Sequence, residues 1–410
     1  MLNGPFSPWP SFTQEEADAV QQVLLSNRVN YWTGGECRAF EREFAAFAET
    51  GYAVAVANGT LALDLALKGL GIGEGDEVIV TSRSFIASAS CIVTAGATPV
   101  FADVDRDSQV ITPETIRPCI TERTRAVICV HLAGWPCDMD GINALAREHG
   151  FSVIEDCAQA HGARYRGRAV GSLGDVGCWS FCQDKIMTTG GEGGMVTTSD
   201  SELWARMWSF KDHGKSYDAV YNREHPPGFR WLHESFGSNW RMMEMQAVIG
   251  RIQLQRMPEW QEQRLANCEA IWRTARECPG LRAPEVPADI EHAGYKCYVF
   301  VEPDQLAPGW DRDAVQHAIM ERGVPCMSGS CSEVYLEKNF RDAGLGPGSL
   351  AGVQSRAGLA PTEDNENAFL PVARELGSTS LMFLCHPTLT DSEIEKTCDV
   401  LKAVMVQATG

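Results

Sequence analysis

The stretch Val153-Ile154-Glu155-Asp156-Cys157-Ala158-Gln159-Ala160-His161-Gly162 decides the fold. An apolar run ends in two acids and small residues follow, which is typical of a buried strand that leads into a turn. In open parallel sheets, ligands lie beyond the carboxyl ends of the strands, so Asp156 is placed to meet one. For Asp156 taken alone, a helix N-cap is an equally good interpretation.

Short apolar runs alternate with helical segments on both sides of this stretch. The runs predicted as strands are residues 52–57, 77–81, 98–102, 125–131, 151–155, 177–181 and 194–197. The predicted helices between them lie near residues 59–70, 84–96, 112–118 and 138–149. This alternation predicts an α/β fold, with a mostly parallel mixed sheet flanked by helices.

The pattern changes in the C-terminal part of the chain. Residues 217–237 read as a long loop, and a long helix of about residues 241–278 follows it. Isolated strands (295–301 and 379–384) and helices (near 311–322 and 391–405) come after that helix. We therefore predict a large domain of residues 1–265 and a smaller C-terminal α/β domain of residues 266–410.

Composition disfavours several classes of partner. The 410 residues carry a formal net charge of -19, which disfavours binding to nucleic acid or to an anionic membrane. No apolar run resembles a signal peptide or a membrane span. The fifteen cysteines are scattered without a C-x-x-C pair, which indicates reduced thiols in a cytoplasmic protein and no structural metal.

A second signal surrounds Lys185. The sequence Ser180-Phe181-Cys182-Gln183-Asp184-Lys185 is followed by a glycine cluster at residues 190–194. A single lysine in a loop is usually a solvated charge, but glycines permit close backbone approach, and lysine is the residue that forms Schiff bases. A third, weaker signal is Asn58-Gly59-Thr60, a strand-to-helix turn whose amides could cradle a phosphate.

Together these signals resemble the DegT/DnrJ/EryC1/StrS aminotransferases, the sugar aminotransferases of fold type I. The resemblance covers nearly the whole chain, and the order and spacing of many short motifs agree. The matching segments are Phe40-Glu41, residues 96–105, 131–134, 155–163 and 174–177, Lys185 with its glycine cluster, and Asn239-Trp240-Arg241-Met242.

The resemblance implies pyridoxal 5'-phosphate as the cofactor. Lys185 would carry it covalently and then act as general acid and base. Asp156 would pair with the protonated pyridine nitrogen, which keeps the ring an electron sink. Gln159 would lie over one face of the ring, and Phe85 would stack on the opposite face.

The resemblance also implies which residues bind the phosphate group of the cofactor and how the subunits assemble. Gly59, Thr60 and Ser180 would bind the phosphate from the same chain. Asn239 would reach it from the neighbouring subunit, which implies a homodimer with shared active sites. Two features depart from the family's commoner forms: Arg83 stands where a small or apolar residue is expected, and Gln183-Asp184 precede the lysine where other polar pairs are usual. His213 also lies in a family segment but has no assigned role.

The implied reaction moves an amino group from an L-amino acid to a nucleotide-linked keto sugar in deoxyamino-sugar biosynthesis. Glutamate is the expected amino donor. A sugar dehydratase on the same scaffold would carry a histidine in place of Lys185, so the lysine argues against it. A non-catalytic cofactor-binding sensor and an aminotransferase acting on a cyclitol or other keto acceptor stay open. The loop at residues 217–237 could contact substrate or pack on the neighbouring subunit.

Overall fold

A computed structural model describes residues 5–228, 230–345 and 370–410. Its strands, in chain order, are β1 Tyr52–Val56, β2 Glu77–Thr81, β3 Thr98–Ala102, β4 Thr124–Val130, β5 Ser152–Asp156, β6 Arg164–Tyr165, β7 Arg168–Ala169, β8 Val176–Ser180, β9 Gly194–Thr198, β10 Leu281–Arg282, β11 Ile290–Glu291, β12 Cys297–Val301, β13 Cys326–Met327 and β14 Ser380–Phe383.

Seven of these strands form one large sheet in the order β1-β9-β8-β5-β4-β2-β3. Only β9 runs against the others, since it pairs antiparallel with both β1 and β8. The carboxyl ends of the remaining six strands therefore share one edge of the sheet. Most side chains of these strands are buried, as expected of strands covered by helices on both faces. The predicted α/β fold with a mostly parallel sheet is confirmed.

The described helices flank the sheets. They are α1 Gln14–Leu25, α2 Glu36–Phe47, α3 Gly59–Leu70, α4 Ala87–Thr94, α5 Pro113–Ile116, α6 Met139–His149, α7 Ser201–Phe210, α8 Tyr217–Tyr221, α9 Glu244–Arg276, α10 Arg312–Glu321, α11 Lys338–Asp342, α12 Pro371–Thr379 and α13 Asp391–Thr409. Within the described part of the chain, no helix combines the length and the apolar character that crossing a membrane requires.

Helix α3 starts at the edge of the sheet where the six strands end. The Asn58 side chain caps it by accepting a hydrogen bond from the Leu61 amide at 3.0 Å. Gly71 ends it in the left-handed conformation that glycine adopts without steric cost (φ 73°). Its apolar side chains pack on the sheet, so its N-terminus points toward the carboxyl ends of the strands.

A second, four-stranded antiparallel sheet follows α9, in the order β10-β12-β14-β13. A separate hydrophobic cluster packs against it and includes Cys268, Ile271 and Trp272 of α9. The N-terminal half of α9 instead contributes Ala247 and Met257 to the core of the large sheet. We propose a domain boundary near residue 265, which lies inside this helix.

Three predicted elements differ from the structure. Helix α4 begins at Ala87 instead of residue 84, because the Ser84 amide donates to the Cys331 carbonyl and holds residues 82–86 in a turn. The predicted helix 112–118 is shorter and passes into a 3-10 turn at Arg117–Cys119, since Pro118 has no amide hydrogen with which to continue the α-helical hydrogen bonds. The predicted loop 217–237 contains α8, which Ser216 caps.

Candidate active site

A cavity of about 790 Å³ opens at the edge of the large sheet where the parallel strands end. Seven of the eight candidate site residues line it. They are Gly59, Thr60, Phe85, Asp156, Gln159, Ser180 and Lys185. The volume is typical of small-molecule sites, and the position agrees with the rule for ligands of open α/β sheets.

Asp156 is the last residue of β5, and it is 5% exposed. Ser88 donates its hydroxyl hydrogen to Oδ2 at 2.8 Å, and the Ala158 amide donates to Oδ1 at 3.1 Å. Burial raises the pKa of Asp156, and these two hydrogen bonds and the charge of Lys185 oppose that rise. Among the described residues, no basic side chain lies within salt-bridge distance of this carboxylate. A cation in the cavity would therefore find an unpaired acid.

The helix N-cap interpretation of Asp156 is wrong. Residues 157–163 form turns, and no helix follows β5 before the short strand β6. The Ala158 amide closes an Asx turn on the Asp156 side chain. This turn directs the carboxylate into the cavity.

Two backbone segments meet at the far side of the cavity. A Cβ on Gly59 would lie 2.5 Å from the Cβ of Ser180, so only glycine allows this approach of α3 to the end of β8. The first amides of α3 have no partner within the helix and carry its positive dipole end. Thr60 and Ser180 add hydroxyl groups beside them. The arrangement suits a phosphate group.

Lys185 lies after β8, half-buried in the cavity wall. Its amide donates to the Cys182 carbonyl at 3.1 Å, and the Trp9 indole donates to the Lys185 carbonyl at 2.8 Å. The ammonium nitrogen is 5.2 Å from the centre of the Tyr295 ring. The backbone of the lysine is therefore held from two sides while its amine stays within the cavity.

Gln159 and Phe85 occupy different environments. The Gln159 Oε1 atom accepts a hydrogen bond from the Ala133 amide at 2.8 Å, and the side chain is buried. Ala133 has a positive φ of 58°, so a strained turn supplies this donor. Phe85 is 66% exposed at the cavity wall. Its ring is thus available to stack on a bound ligand.

Asn239 lies outside the lining of this cavity and is exposed. Its backbone bridges Asp212, and the Trp240 carbonyl accepts from the Ala57 amide at 2.9 Å. Asn239 is therefore held near the start of α3 without facing its own chain's cavity. His213, which the sequence leaves without a role, shapes the same region, since its amide donates to the Ser238 carbonyl at 2.8 Å.

Sequence reasoning missed a lysine and two tyrosines of the cavity, Lys296, Tyr295 and Tyr298. Burial lowers the pKa of Lys296, although the charge of Asp184 opposes this. Tyr295 donates its hydroxyl hydrogen to Asp184 at 2.6 Å. The run Tyr295-Lys296-Cys297-Tyr298 was a possible signal, because in the predicted strand 295–301 the alternate residues Lys296 and Tyr298 share a face.

Glu155 has a different environment from Asp156 next to it. Its carboxylate accepts from the amides of Gly171, Leu173 and Gly174 at 2.7–2.8 Å and lies 3.0 Å from His131 Nε2. Together with Cys157 these two side chains could hold a metal ion by distance. The atoms that would bind a metal ion already form hydrogen bonds within the protein. His131 Nδ1 accepts from the Cys137 amide, and His131 Nε2 lies 3.0 Å from Glu155. Glu155 therefore organises a loop.

Arg83, the unexpected residue of the turn before α4, is fully buried. Its guanidinium donates to Gln109 Oε1 at 2.8 and 3.0 Å and to Ser380 Oγ at 2.8 Å, and it also bonds Ser332. These contacts tie the turn that carries Phe85 to the second sheet. Arg83 is thus a structural connection between the two sheets.

The described fold and site belong to a defined class. A model of the DegT/DnrJ/EryC1/StrS aminotransferase family matches residues 10–348. The chain belongs to this family and is an aminotransferase.

Individual relatives agree with this class. The chain is 41% identical over 374 residues to UDP-N-acetyl-3-dehydro-alpha-D-glucosamine 3-aminotransferase of Acidithiobacillus ferrooxidans, covering 91% of this chain and 89% of the relative. It is 37% identical over 330 residues to L-glutamine:2-deoxy-scyllo-inosose aminotransferase of Streptoalloteichus tenebrarius, covering 78% and 77%. A solved aminotransferase from Psychrobacter cryohalolentis superposes with a TM-score of 0.92 at 58% identity, covering 99% and 100%.

Proposed function

We propose that this aminotransferase uses pyridoxal 5'-phosphate carried on Lys185 and transfers an amino group from an L-amino acid to a nucleotide-linked keto sugar. The observation that carries the proposal is the convergence of Lys185, Asp156 and the α3 N-terminus on one cavity. A lysine amine, a buried acid and a phosphate cradle are the three groups that this cofactor needs.

The residues of the cavity fit the cofactor. Asp156 is a buried carboxylate without an ion-pair partner among the described residues, and a protonated ring nitrogen would supply one. The close approach of Gly59 to Ser180 leaves backbone amides and hydroxyls beside the helix N-terminus, where phosphate would bind. Phe85 and Gln159 would enclose the ring.

When bound, the cofactor supplies an electron sink that stabilises negative charge at the carbon bearing the amino group. Lys185 would move the proton to and from that carbon, since its amine is a basic group that the cavity wall offers. Asp156 would keep the ring nitrogen protonated, and Ser88 would hold the carboxylate by its 2.8 Å hydrogen bond. The Trp9 contact to the Lys185 carbonyl would fix the loop during this transfer.

The substrate class rests on the relatives and on the cavity. The relative from Acidithiobacillus is named for a UDP-linked sugar, and about 790 Å³ leaves room for a sugar beside the cofactor. Lys296 would attract an anionic group of that substrate. We infer glutamate as the first donor to test. The relative from Streptoalloteichus, named for glutamine and a cyclitol, makes a cyclitol acceptor the second candidate.

The assembly and the location are part of the proposal. A homodimer would let Asn239 of one chain complete the phosphate site of the other, which agrees with its exposure outside its own cavity. The fifteen cysteines are all free, as expected of a protein in the reducing cytoplasm.

Borohydride reduction of the holoprotein followed by peptide mapping tests the cofactor assignment. We expect the pyridoxyl label on Lys185 in the wild type and in Lys296→Met. Lys185→Ala should carry no label. A label on Lys296, or an unlabelled wild type that contains the cofactor, would overturn the assignment. Lys296 is the matched control because it lines the same cavity.

An acceptor screen tests the substrate class. Purified enzyme, glutamate and a panel of nucleotide-linked keto sugars and keto cyclitols would be followed by mass spectrometry, with glutamine as the alternative donor. We expect amination of a nucleotide-linked sugar. Conversion of cyclitols alone would establish the second candidate. A labelled but inactive enzyme across donors and acceptors would favour a sensor.

A further inference from the structure

A second, smaller pocket lies behind the catalytic lysine. It encloses about 250 Å³ between the N-terminal segment 6–9 and the start of the second domain. Asp184, Tyr295 and Lys296 line both this pocket and the cofactor cavity, so the two are separated by one wall of side chains. Arg264 of α9 and His386 lie on its other side.

Arg264 is the unusual group in this pocket, because it is only 1% exposed and incompletely hydrogen-bonded. Its Nη1 atom donates to the Gly294 carbonyl at 3.3 Å, while Nε and Nη2 have no hydrogen-bond partner among the described residues. A buried cation in that state is costly unless an anion compensates it. Arg83 is equally buried, but in contrast to Arg264 its guanidinium donates hydrogen bonds to Gln109 and Ser380.

The surroundings of Arg264 are positive. Lys296 forms no ion pair within 4.0 Å among the described residues; its ammonium group lies 4.9 Å from the centre of the Tyr295 ring and near enough to Asp184 for that charge to act on it. Burial, followed by the charges of Arg264 and Lys296, lowers the pKa of His386 to about 4. Two cations, Arg264 and Lys296, and one acid, Asp184, therefore line this small cavity in a chain with a net charge of -19.

The acids at this pocket accept hydrogen bonds from neutral groups. Asp184 accepts the Tyr295 hydroxyl at 2.6 Å. Glu393 accepts from the amide and hydroxyl of Ser7 at 2.5 and 2.9 Å. Neither forms a salt bridge with Arg264 or Lys296, so neither cation has an acid within 4.0 Å among the described residues.

We propose that this pocket binds a small anion, a halide or a short carboxylate, between Arg264 and Lys296. The bound anion stabilises the N-terminal segment, because the Arg264 guanidinium lies 4.8 Å from the centre of the Trp9 ring. Trp9 in turn donates to the carbonyl of Lys185. The site therefore connects anion binding to the placement of the catalytic lysine loop. The site shares Lys296 with the substrate cavity, and the Arg264 variants below test it without altering that lysine.

Crystals of the purified enzyme soaked in sodium bromide test the site directly. We expect an anomalous bromide peak beside Arg264, and displacement of that peak by added sodium acetate would assign the site to carboxylates as well as halides. A bromide peak that acetate does not displace would restrict the site to halides. A pocket that contains only water at high bromide concentration would overturn the proposal.

Thermal unfolding gives a second readout that does not depend on turnover. At constant ionic strength, sodium bromide or acetate should raise the Tm above its value in sodium gluconate, an anion too large for the pocket, by roughly a few degrees. Arg264→Met should lose this difference, Arg264→Lys should keep part of it, and the exposed control Arg117→Met should keep all of it. An unchanged difference in Arg264→Met would contradict the proposal, and if that variant fails to fold, the bromide crystals decide.

Discussion

The two sides of the segment 155–161 differ in how their polar groups are satisfied. On one side, Asp156 and Gln159 face the cofactor cavity, and the buried carboxylate of Asp156 has two hydrogen-bond donors and no counter-ion among the described residues. On the other side, the Glu155 carboxylate accepts from three amides and contacts His131. The two adjacent acids of β5 therefore have different roles. The fully hydrogen-bonded carboxylate of Glu155 stabilises the structure, and the carboxylate of Asp156, which has no counter-ion among the described residues, is available to a ligand.

Asp156→Asn should show the largest effect of these tests. The asparagine oxygen can still accept from the Ala158 amide, and its NH2 group can donate to the Ser88 hydroxyl, which then accepts instead of donating, so the fold should persist. The neutral amide cannot hold a ring nitrogen protonated. We expect kcat to fall by about 10²-fold or more. Steady-state kinetics with saturating cofactor would measure it, with far-UV circular dichroism as the control for folding. Turnover near the wild-type level would show that the carboxylate only closes the Asx turn.

Mixed dimers test whether Asn239 of a second chain completes the cofactor cavity. Lys185→Ala and Asn239→Asp should each be nearly inactive, but in a mixed dimer one site receives both defects and the other receives none. After free exchange of subunits at equal amounts, about a quarter of the wild-type activity should return, since half of the dimers are mixed and half of their sites are intact. Native mass spectrometry would verify that mixed dimers form. Mixed dimers without activity would mean that Asn239 serves its own chain.

Glu155→Gln is the matched test on the opposite side of β5. A glutamine offers one acceptor oxygen where the carboxylate uses two, so buried donors from the Gly171–Gly174 loop would lose their partner. We expect a loss of about 3 kcal/mol in the free energy of unfolding, with kcat of the folded enzyme changed by less than about threefold. Urea unfolding at fixed protein concentration measures the first value. A large loss of kcat with intact stability would erase the distinction between the two acids.

His161→Phe should give the smallest effect, visible only at acidic pH. Burial, followed by the charge of Lys185, lowers the pKa of His161 to about 3. Because its folded pKa lies below the unfolded value of about 6.5, the unfolded chain binds a proton that the folded chain refuses, and stability falls as pH drops through this window. The variant should lose about 2 kcal/mol less than the wild type between pH 8 and pH 5.

Urea unfolding at the two pH values, again at fixed protein concentration, measures this difference. His292 and His386, whose pKa values burial lowers to about 3 and about 4, should leave a residual pH dependence in the variant. Equal acid losses in variant and wild type would show that His161 is protonated in the folded protein.

The sequence by itself determined the sheet and most of the site. Apolar runs of five to seven residues predict buried strands, and such local patterns depend on near neighbours along the chain. Residues that end parallel strands share one edge of the sheet, so the strand that ends at Asp156 already predicts a ligand site at that edge. The roles of these residues came from the family motifs.

Only the tertiary structure decided the rest, because it depends on contacts between distant parts of the chain. Packing of the second sheet against the first brings Lys296 into the cavity, 111 residues after Lys185 in the numbering. The opposite tasks of Glu155 and Asp156 follow from which loops supply their hydrogen bonds, and β-strand periodicity alone says only that they face opposite sides. The missing hydrogen-bond partners of Arg264 could not be predicted either. Whether a buried arginine is fully hydrogen-bonded depends on which distant residues pack around it.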